Sequence, residues 1–208
     1  MIVKHLLALG YQARISTAEE RAGLSRRDTH CLTVSGRPFD MISVRLEGGV
    51  GPLENLGLRA GTFSIGVLPI ASRTVLPIKV HFIVLCEPGQ ARQDLASTLR
   101  LRKQGILHRR VVGGCWEGGP LAAVLNGDPA TLNAVVSCIG PRESLTVEPD
   151  AGAGCVRIVH RSSRVLDFSL LRKDLVRFHQ DLVSRTLLEG IEGVAGQIRD
   201  HVGGAVRR

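Results

Sequence analysis

The chain has 208 residues, of which 44% are apolar and 22% charged, as in a globular protein with one sizeable core or two small ones. Its formal net charge of +8 favours an acidic partner such as nucleic acid, anionic lipid or a phosphorylated ligand. Aromatic residues make up only 3%, so the composition argues against a stacking platform for unpaired bases.

The five cysteines are odd in number and form no CxxC pair, which argues against both a disulfide framework and a thiolate zinc site. We therefore expect a cytoplasmic protein with buried structural cysteines. The N-terminal run contains no cleavage pattern of a signal peptide, and no apolar stretch reaches the length of a membrane span. No membrane partner is expected.

The first part of the chain predicts a short helix and then strands. Residues 2–9 form a helix candidate that ends at Gly10, and residues 12–16 predict a strand. Residues 17–27 have the composition of a helix-turn-helix reader, but the second helix has no room before the next strand. Residues 31–46 alternate in polarity around a Gly-Arg-Pro turn, which predicts a hairpin.

Two further strands are expected at residues 62–68 and 74–85, after a glycine-rich loop. The tetrapeptide Val-Leu-Pro-Ile occurs at both Val67 and Val75, and we expect its prolines, Pro69 and Pro77, at an edge, a bulge or a turn because proline lacks a ladder donor. Residues 1–77 therefore predict a β-rich N-terminal subdomain that shares a core with residues 78–208, the predicted ferredoxin-like core and C-terminal helix.

The stretch from Lys79 to Pro149 predicts an α+β unit with the order βαββαβ, the ferredoxin-like pattern. The expected elements are a strand at 79–86, a helix at 90–103, hairpin arms at 106–112 and 120–125, a helix at 128–139 and a strand at 144–147. Asp128 is a suitable N-cap, Pro129 suits the first helical position, and Gly140-Pro141 ends this second helix. This architecture serves ligand sensing, RNA binding and catalysis alike, so it does not define an activity.

Two short runs suggest a family. They are WEGGPLAAVLNG at residues 116–127, followed by a predicted helix, and RVLDFSL at residues 164–170. The first resembles the second hairpin arm of BLUF domains, which are flavin-binding blue-light sensors. The second is similar to the family's run of Arg, an aromatic, Asp or Gly, Trp, Ser and Met. The alternative is that the chain shares only the ferredoxin-like pattern with this family.

The residues that hold flavin in BLUF domains are not clearly retained. The family's tyrosine would fall near Val84 or Leu85, its glutamine at Ala123, and its asparagine near Gln104 or Gly105. The resemblance therefore implies a degenerate, non-photoactive relative. We expect no cofactor, with flavin as the candidate if the relationship is real.

The C-terminal part predicts a strand at 156–159 and then a long helix. The apolar residues Phe168, Leu171, Leu175, Phe178 and Leu182 recur at intervals of three and four, a seam of two heptads. This seam packs either on the protein's own sheet or in a homodimer. Beyond it, the glycines at 190, 193 and 196 indicate a helix that is either frayed or closely packed against another backbone.

The candidate ligand-binding residues lie around the glycine-rich stretch 113–119. They are His108, Arg109, Arg110, Cys115 and Trp116, because the paired glycines expose backbone N–H groups beside basic side chains. A hairpin turn explains the same glycines without a ligand. Cys115 is a possible nucleophile, but no histidine and carboxylate partner for it can be assigned from the sequence.

The sequence favours a non-catalytic regulatory or sensory protein that binds a small ligand or a protein partner. The alternatives are a basic α/β protein that binds nucleic acid and, less favoured, a cysteine-dependent enzyme. No paired carboxylates suggest general acid–base chemistry, no catalytic residue is assigned, and no metal site is expected.

Overall fold

A computed structural model describes residues 2–22, 24, 31–46, 73–87, 89–105, 110–167 and 183–204. Eight strands form one antiparallel sheet in the order β1-β2-β3-β4-β8-β7-β5-β6. The strands are β1 Gln12–Ile15, β2 Cys31–Ser35, β3 Met41–Leu46, β4 Arg73–Leu85, β5 Ser97–Gln104, β6 Arg110–Gly118, β7 Ser144–Asp150 and β8 Cys155–Asp167. The helices are α1 Ile2–Ala8, α2 Pro120–Asn126, α3 Pro129–Cys138 and α4 Arg185–Gly204. The α+β class is thus confirmed.

The main core lies between the helices and one face of the sheet. Because side chains alternate along a strand, every second residue of β4 from Ile78 to Val84 faces this core, and all four are buried. Helix α4 contributes an apolar stripe that includes Leu188, Ile191 and Ile198, all fully buried. None of the described helices is long and apolar enough to cross a membrane.

The predicted N-terminal elements are confirmed. Helix α1 ends before Gly10, whose φ of 87° is the left-handed conformation that glycine adopts without strain. The hairpin of β2 and β3 pairs Cys31 with Ser43. Residues 18–22 form turns, and residues 25–30, where the second helix of a helix-turn-helix reader would begin, lie outside the described residues.

The helix predicted at residues 90–103 is wrong. A single 3-10 turn at Gln93–Leu95 is followed by strand β5. Leu95 and Leu99 are both buried, and their separation of four residues is compatible with both a helical turn and two strand repeats. Leucines and arginines alternate from Leu99 to Arg102, and this period of two residues is typical of a strand.

The hairpin arm predicted at residues 120–125 is also wrong, because these residues form α2. Pro120 occupies the first turn, and the buried Leu121, Ala122 and Leu125 share one helical face. Between Lys79 and Pro149 the order is therefore three strands, two helices and a strand. The ferredoxin-like order βαββαβ is not confirmed.

The second predicted helix is confirmed as α3. The Asp128 side chain caps it by accepting hydrogen bonds from the backbone N–H groups of Ala130, at 3.0 Å, and Thr131, at 3.2 Å. The Thr131 hydroxyl donates to the same carboxylate at 2.7 Å. These hydrogen bonds lower the pKa of Asp128.

The predicted domain boundary after residue 77 falls inside β4, and residues on both sides contribute to one core. Pro77 lies one residue beyond the β3–β4 ladder, which ends at the pair Leu46 and Ile78. Arg199 of α4 donates to the Pro38 carbonyl in the β2–β3 turn. The strand predicted at 62–68, Pro69 and the heptad seam at 168–182 lie outside the described residues.

Two glycines of α4 lie against α3. A Cβ atom at Gly190 would stand 3.3 Å from the Val135 Cα, and one at Gly193 would stand 2.7 Å from the Thr131 Oγ1. At Gly196 no atom lies within 4 Å of such a Cβ. Close packing therefore accounts for the first two glycines and leaves Gly196 without a packing role.

Candidate binding groove at the edge of the sheet

Strand β6 is the last strand of the sheet, and it pairs only with β5 in the part of the chain that the structure describes. An edge strand presents backbone N–H and C=O groups that lack a ladder partner. At Trp116 the Asn126 carboxamide satisfies both groups: the backbone N–H donates to Oδ1 at 2.8 Å, and Nδ2 donates to the carbonyl at 2.8 Å. Asn126 therefore acts as a one-residue substitute for a neighbouring strand.

The hydrogen bonds of Trp116 also define the direction of the other backbone groups. Because N–H and C=O directions alternate along a strand, the backbone groups of Gly114 point to the same outer side as those of Trp116. The β5–β6 register is regular from Gly118 to Gly113 and shifts between Arg102 and Lys103, so Val112 is the extra residue of a β-bulge. The edge thus has a capped half at Trp116 and a second half at Arg110–Gly114.

A groove of about 530 Å³ lies between this second half and α3. Its lining combines apolar side chains with a few polar groups, in the residues Arg110, Val111, Val112, Gly113, Asn133, Val136, Ser137, Ile139 and Pro141. The groove therefore places apolar surface and a few polar groups side by side, the two contributions that a ligand site combines.

The helical wall of the groove is held by contacts on two sides. A Cβ at Gly114 would lie 3.0 Å from the Val136 Cγ2, so the glycine allows α3 to approach β6 closely. On the other side, the Gln197 Nε2 of α4 donates to the Asp128 Oδ2 at 2.6 Å, which ties the start of α3 to α4.

The turn that follows α3 is fixed by a buried polar pair. The Gly140 N–H donates to the Glu143 Oε2 at 2.8 Å, and the same oxygen lies 3.3 Å from the His160 Nε2. These contacts hold the turn in which Ile139 and Pro141 line the groove. Hydrogen bonds therefore hold both ends of α3 in place beside β6.

Positive charge dominates this end of the sheet. Arg102, Lys103 and Arg110 are exposed, and none of the described residues that line the groove carries a carboxylate. Lys103 stands opposite Val111 in the ladder, and Gln104 stands opposite Arg110. The Arg100 Nε donates to the Glu117 Oε2 at 2.9 Å, so the nearest acidic side chain on β6 belongs to the capped half of the strand. The open half offers cations to a ligand.

The predicted site residues have different positions in the structure. Arg110 lines the groove, Cys115 is exposed and stands opposite Arg100 in the ladder, and the Trp116 side chain is buried in the main core. His108 and Arg109 lie outside the described residues. Of the three predicted residues that the structure describes, it brings Arg110 to the groove.

Sequence reasoning missed Asn126 and the residues of α3. Asn126 is the second-last residue of the WEGGPLAAVLNG run, ten residues after Trp116, and this separation gives no signal for a contact that depends on a helix folding back along the edge. Val136 and Ser137 belong to the correctly predicted helix. These two residues line the groove because β6 lies beside α3, and the predicted hairpin of residues 106–112 and 120–125 does not indicate that contact.

Metal-ligating side chains are scattered among the described residues. No group of three or more His, Cys, Asp or Glu side chains there has metal-binding geometry. Burial raises the pKa of the Cys138 thiol to about 11 and also raises that of Cys86, so both thiols remain protonated at neutral pH.

The resemblance to BLUF domains would put flavin-holding residues at or near Val84, Leu85, Ala123, Gln104 and Gly105. Val84, Leu85 and Ala123 carry hydrocarbon side chains, which offer no hydrogen bond to an isoalloxazine ring. Ala123 lies on α2, within the run that the resemblance compares with a hairpin arm.

Comparison of the chain with protein-family models, with curated proteins and with solved structures gave no match.

Proposed function

We propose that the protein is a non-catalytic regulatory protein that binds an anionic partner in the groove between β6 and α3. The observation that carries the proposal is the combination of a groove with apolar and polar lining, a partly uncapped strand edge and the exposed cations Arg102, Lys103 and Arg110 beside it. Cations placed around an apolar groove favour ligands that carry both negative charge and apolar groups.

Charge reversal with a matched control tests this proposal. Lys103→Glu changes the charge beside the groove, whereas Lys4→Glu makes the same change on the exposed face of α1, which packs near the opposite edge of the sheet. The probe is an acetylated hexaglutamate peptide, titrated at low ionic strength. Lys103→Glu should weaken its binding about threefold to tenfold, because each charge-assisted contact contributes about 1 kcal/mol, and Lys4→Glu should have little effect. Equal weakening by both variants would contradict a local anion site.

A second candidate function, nucleic-acid binding, is favoured by the exposed cations Arg100, Arg102, Lys103 and Arg110 on adjoining strands. Such cations contact phosphates without reading sequence. Single-stranded and duplex oligonucleotides of unrelated sequence should then bind weakly, with affinity that falls steeply with salt. Tight and sequence-selective binding would replace the first proposal with this one.

The resemblance to BLUF domains leads to a spectroscopic test. The purified full-length protein should be colourless and show no light-induced shift, since the chain lacks the tyrosine and glutamine on which the photochemistry of that family depends. A yellow protein with a reversible red shift of its absorbance would contradict this expectation. The heptad spacing predicts a homodimer, and sedimentation of the same preparation would measure the mass that tests this prediction.

A further inference from the structure

We infer that the partner is an extended acidic segment of another protein, which adds to the sheet as a ninth strand along Arg110–Gly114. This inference rests on the proposed function and specifies its ligand. The segment would lie beside β6 with its backbone paired to the edge and alternate side chains in the groove that α3 borders. Strand addition of this kind takes its affinity from main-chain hydrogen bonds and its specificity from pockets for alternate side chains.

The first support is the direction of the Gly114 backbone groups. Trp116 bonds the Asn126 side chain on the outer side of β6, so the N–H and C=O of Gly114, two residues away in a regular ladder, point outward as well. Among the described residues, neither the N–H nor the C=O of Gly114 has a hydrogen-bond partner. An added strand would satisfy both groups.

The second support is the position of Asn126. Its carboxamide covers the edge at Trp116 and stops an added strand from extending past Gly114 toward Gly118. The groove lies beside the half that Asn126 leaves uncovered, since Arg110, Val111, Val112 and Gly113 line it and Trp116 does not. Two independent features of the structure therefore mark the same short segment of β6.

The third support is the chemistry of the lining. Apolar contacts are available from Val136 and Ile139, and positive charge is available from Lys103 and Arg110. Successive side chains of an extended peptide point to opposite sides, so an alternation of apolar and acidic residues would match this surface. We therefore expect the added segment to alternate acidic and apolar residues.

A second copy of the chain fits this edge less well. Pairing the Arg110–Gly114 segments of two copies would gather the cations Arg102, Lys103 and Arg110 of both copies at one junction, where the described groove lining carries no carboxylate. Like charges placed across a pair of strands are destabilising. Self-association through β6 is accordingly an outcome of the test that would overturn the inference.

The experiment is a titration of the isotope-labelled full-length protein with three blocked pentapeptides, followed by NMR. The first peptide is Glu-Val-Glu-Val-Glu, the second has the same sequence with both valine amide nitrogens methylated, and the third is Lys-Val-Lys-Val-Lys. N-methylation removes backbone donors and leaves the charge unchanged. The third peptide tests charge while retaining the β-prone valines.

We expect the first peptide to bind weakly and to shift the amide signals of Arg110–Gly114 and of the facing residues Asn133, Val136 and Ser137. The methylated peptide should bind at least about tenfold more weakly, the equivalent of about 1.4 kcal/mol, and the lysine peptide should not bind. Equal binding of the methylated peptide would overturn strand addition and leave the proposed anion site intact. Binding of the lysine peptide, or of no peptide, would overturn both, and concentration-dependent shifts at the edge without peptide would assign it to a second copy.

Discussion

The two halves of β6 belong to one strand and have opposite surroundings. At Trp116 the side chain is buried in the core and Asn126 satisfies the outer backbone groups. At Arg110–Gly114 the strand carries a bulge, exposes 54% of Val112 and borders a groove. Proteins usually protect sheet edges by shortening, bulging or covering them, and here one half is covered while the other has only a bulge and positive charge.

The opposite edge of the sheet is formed by a shorter strand. Strand β1 has only four residues, and its Arg14 pairs with Glu20 in the turns that follow. Strand β6 has nine residues, of which Asn126 caps one. The difference agrees with the proposal that the longer edge accepts a partner. The predictions below separate the two halves of β6.

The largest effect should come from replacing buried side chains in the capped half. Trp116→Ala removes a side chain that is only 3% exposed and should reduce the free energy of unfolding by about 3–5 kcal/mol. Val112→Ala in the other half should change it by about 0.5 kcal/mol or less, because that side chain is half exposed. Urea unfolding of the two variants checks the contrast. Similar losses would mean that both halves are covered in the folded protein.

The next largest change in stability should come from the packing of α4 on α3, the helix that borders the groove. Gly193→Ala places a methyl group against Thr131, whose hydroxyl bonds Asp128, and should destabilise the protein by about 1–3 kcal/mol through overpacking. Gly196→Ala is the matched control, because open space surrounds that position and alanine favours the helix by about 1 kcal/mol. Thermal unfolding should therefore shift in opposite directions. Stabilisation by both variants would refute the packing of α4 on α3.

Removing the cap of β6 should have a smaller effect on stability and a specific effect on association. Asn126→Ala deletes two hydrogen bonds to Trp116 at a partly exposed edge, where water replaces them in part, so a loss of about 1 kcal/mol is expected. The same change lengthens the uncapped edge and should strengthen binding of the Glu-Val-Glu-Val-Glu peptide. Asn133→Ala, an exposed asparagine on α3, is the stability control. Unchanged peptide affinity would show that Asn126 does not limit the edge.

The smallest effect is a pH dependence that originates at the start of α3. Hydrogen bonds from Thr131 lower the pKa of Asp128 in the folded protein, relative to an unfolded value of about 3.9. Its stabilising contribution is therefore present above pH 3.9 and lost as the pH falls through the lower folded pKa. Asp128→Asn retains a capping oxygen and should lose less stability than the unsubstituted protein between pH 6 and pH 3. Asp200→Asn on α4 is the charge control, and an equal pH dependence in the Asp128 variant would contradict this origin.

The sequence allowed correct prediction of elements that have strong local signals. The Asp128-Pro129 start of α3, the Gly10 end of α1 and the alternating hairpin of β2 and β3 depend on residues within a few positions of each other. The failures at residues 90–103 and 120–125 arose where one apolar spacing fits both a helix and a strand. The groove could not be predicted, because it requires β6 at the edge and α3 beside it, and both facts belong to the tertiary arrangement.

The amide hydrogen exchange of Trp116 and Gly114 in the free, full-length protein tests the central claim most directly. The Trp116 N–H bonds the Asn126 carboxamide and should exchange slowly, whereas the Gly114 N–H points outward without a described partner and should exchange quickly. Addition of the Glu-Val-Glu-Val-Glu peptide should slow exchange at Gly114 and leave Trp116 unchanged. A Gly114 amide that is already protected in the free protein would contradict an accessible edge and the strand addition proposed for it.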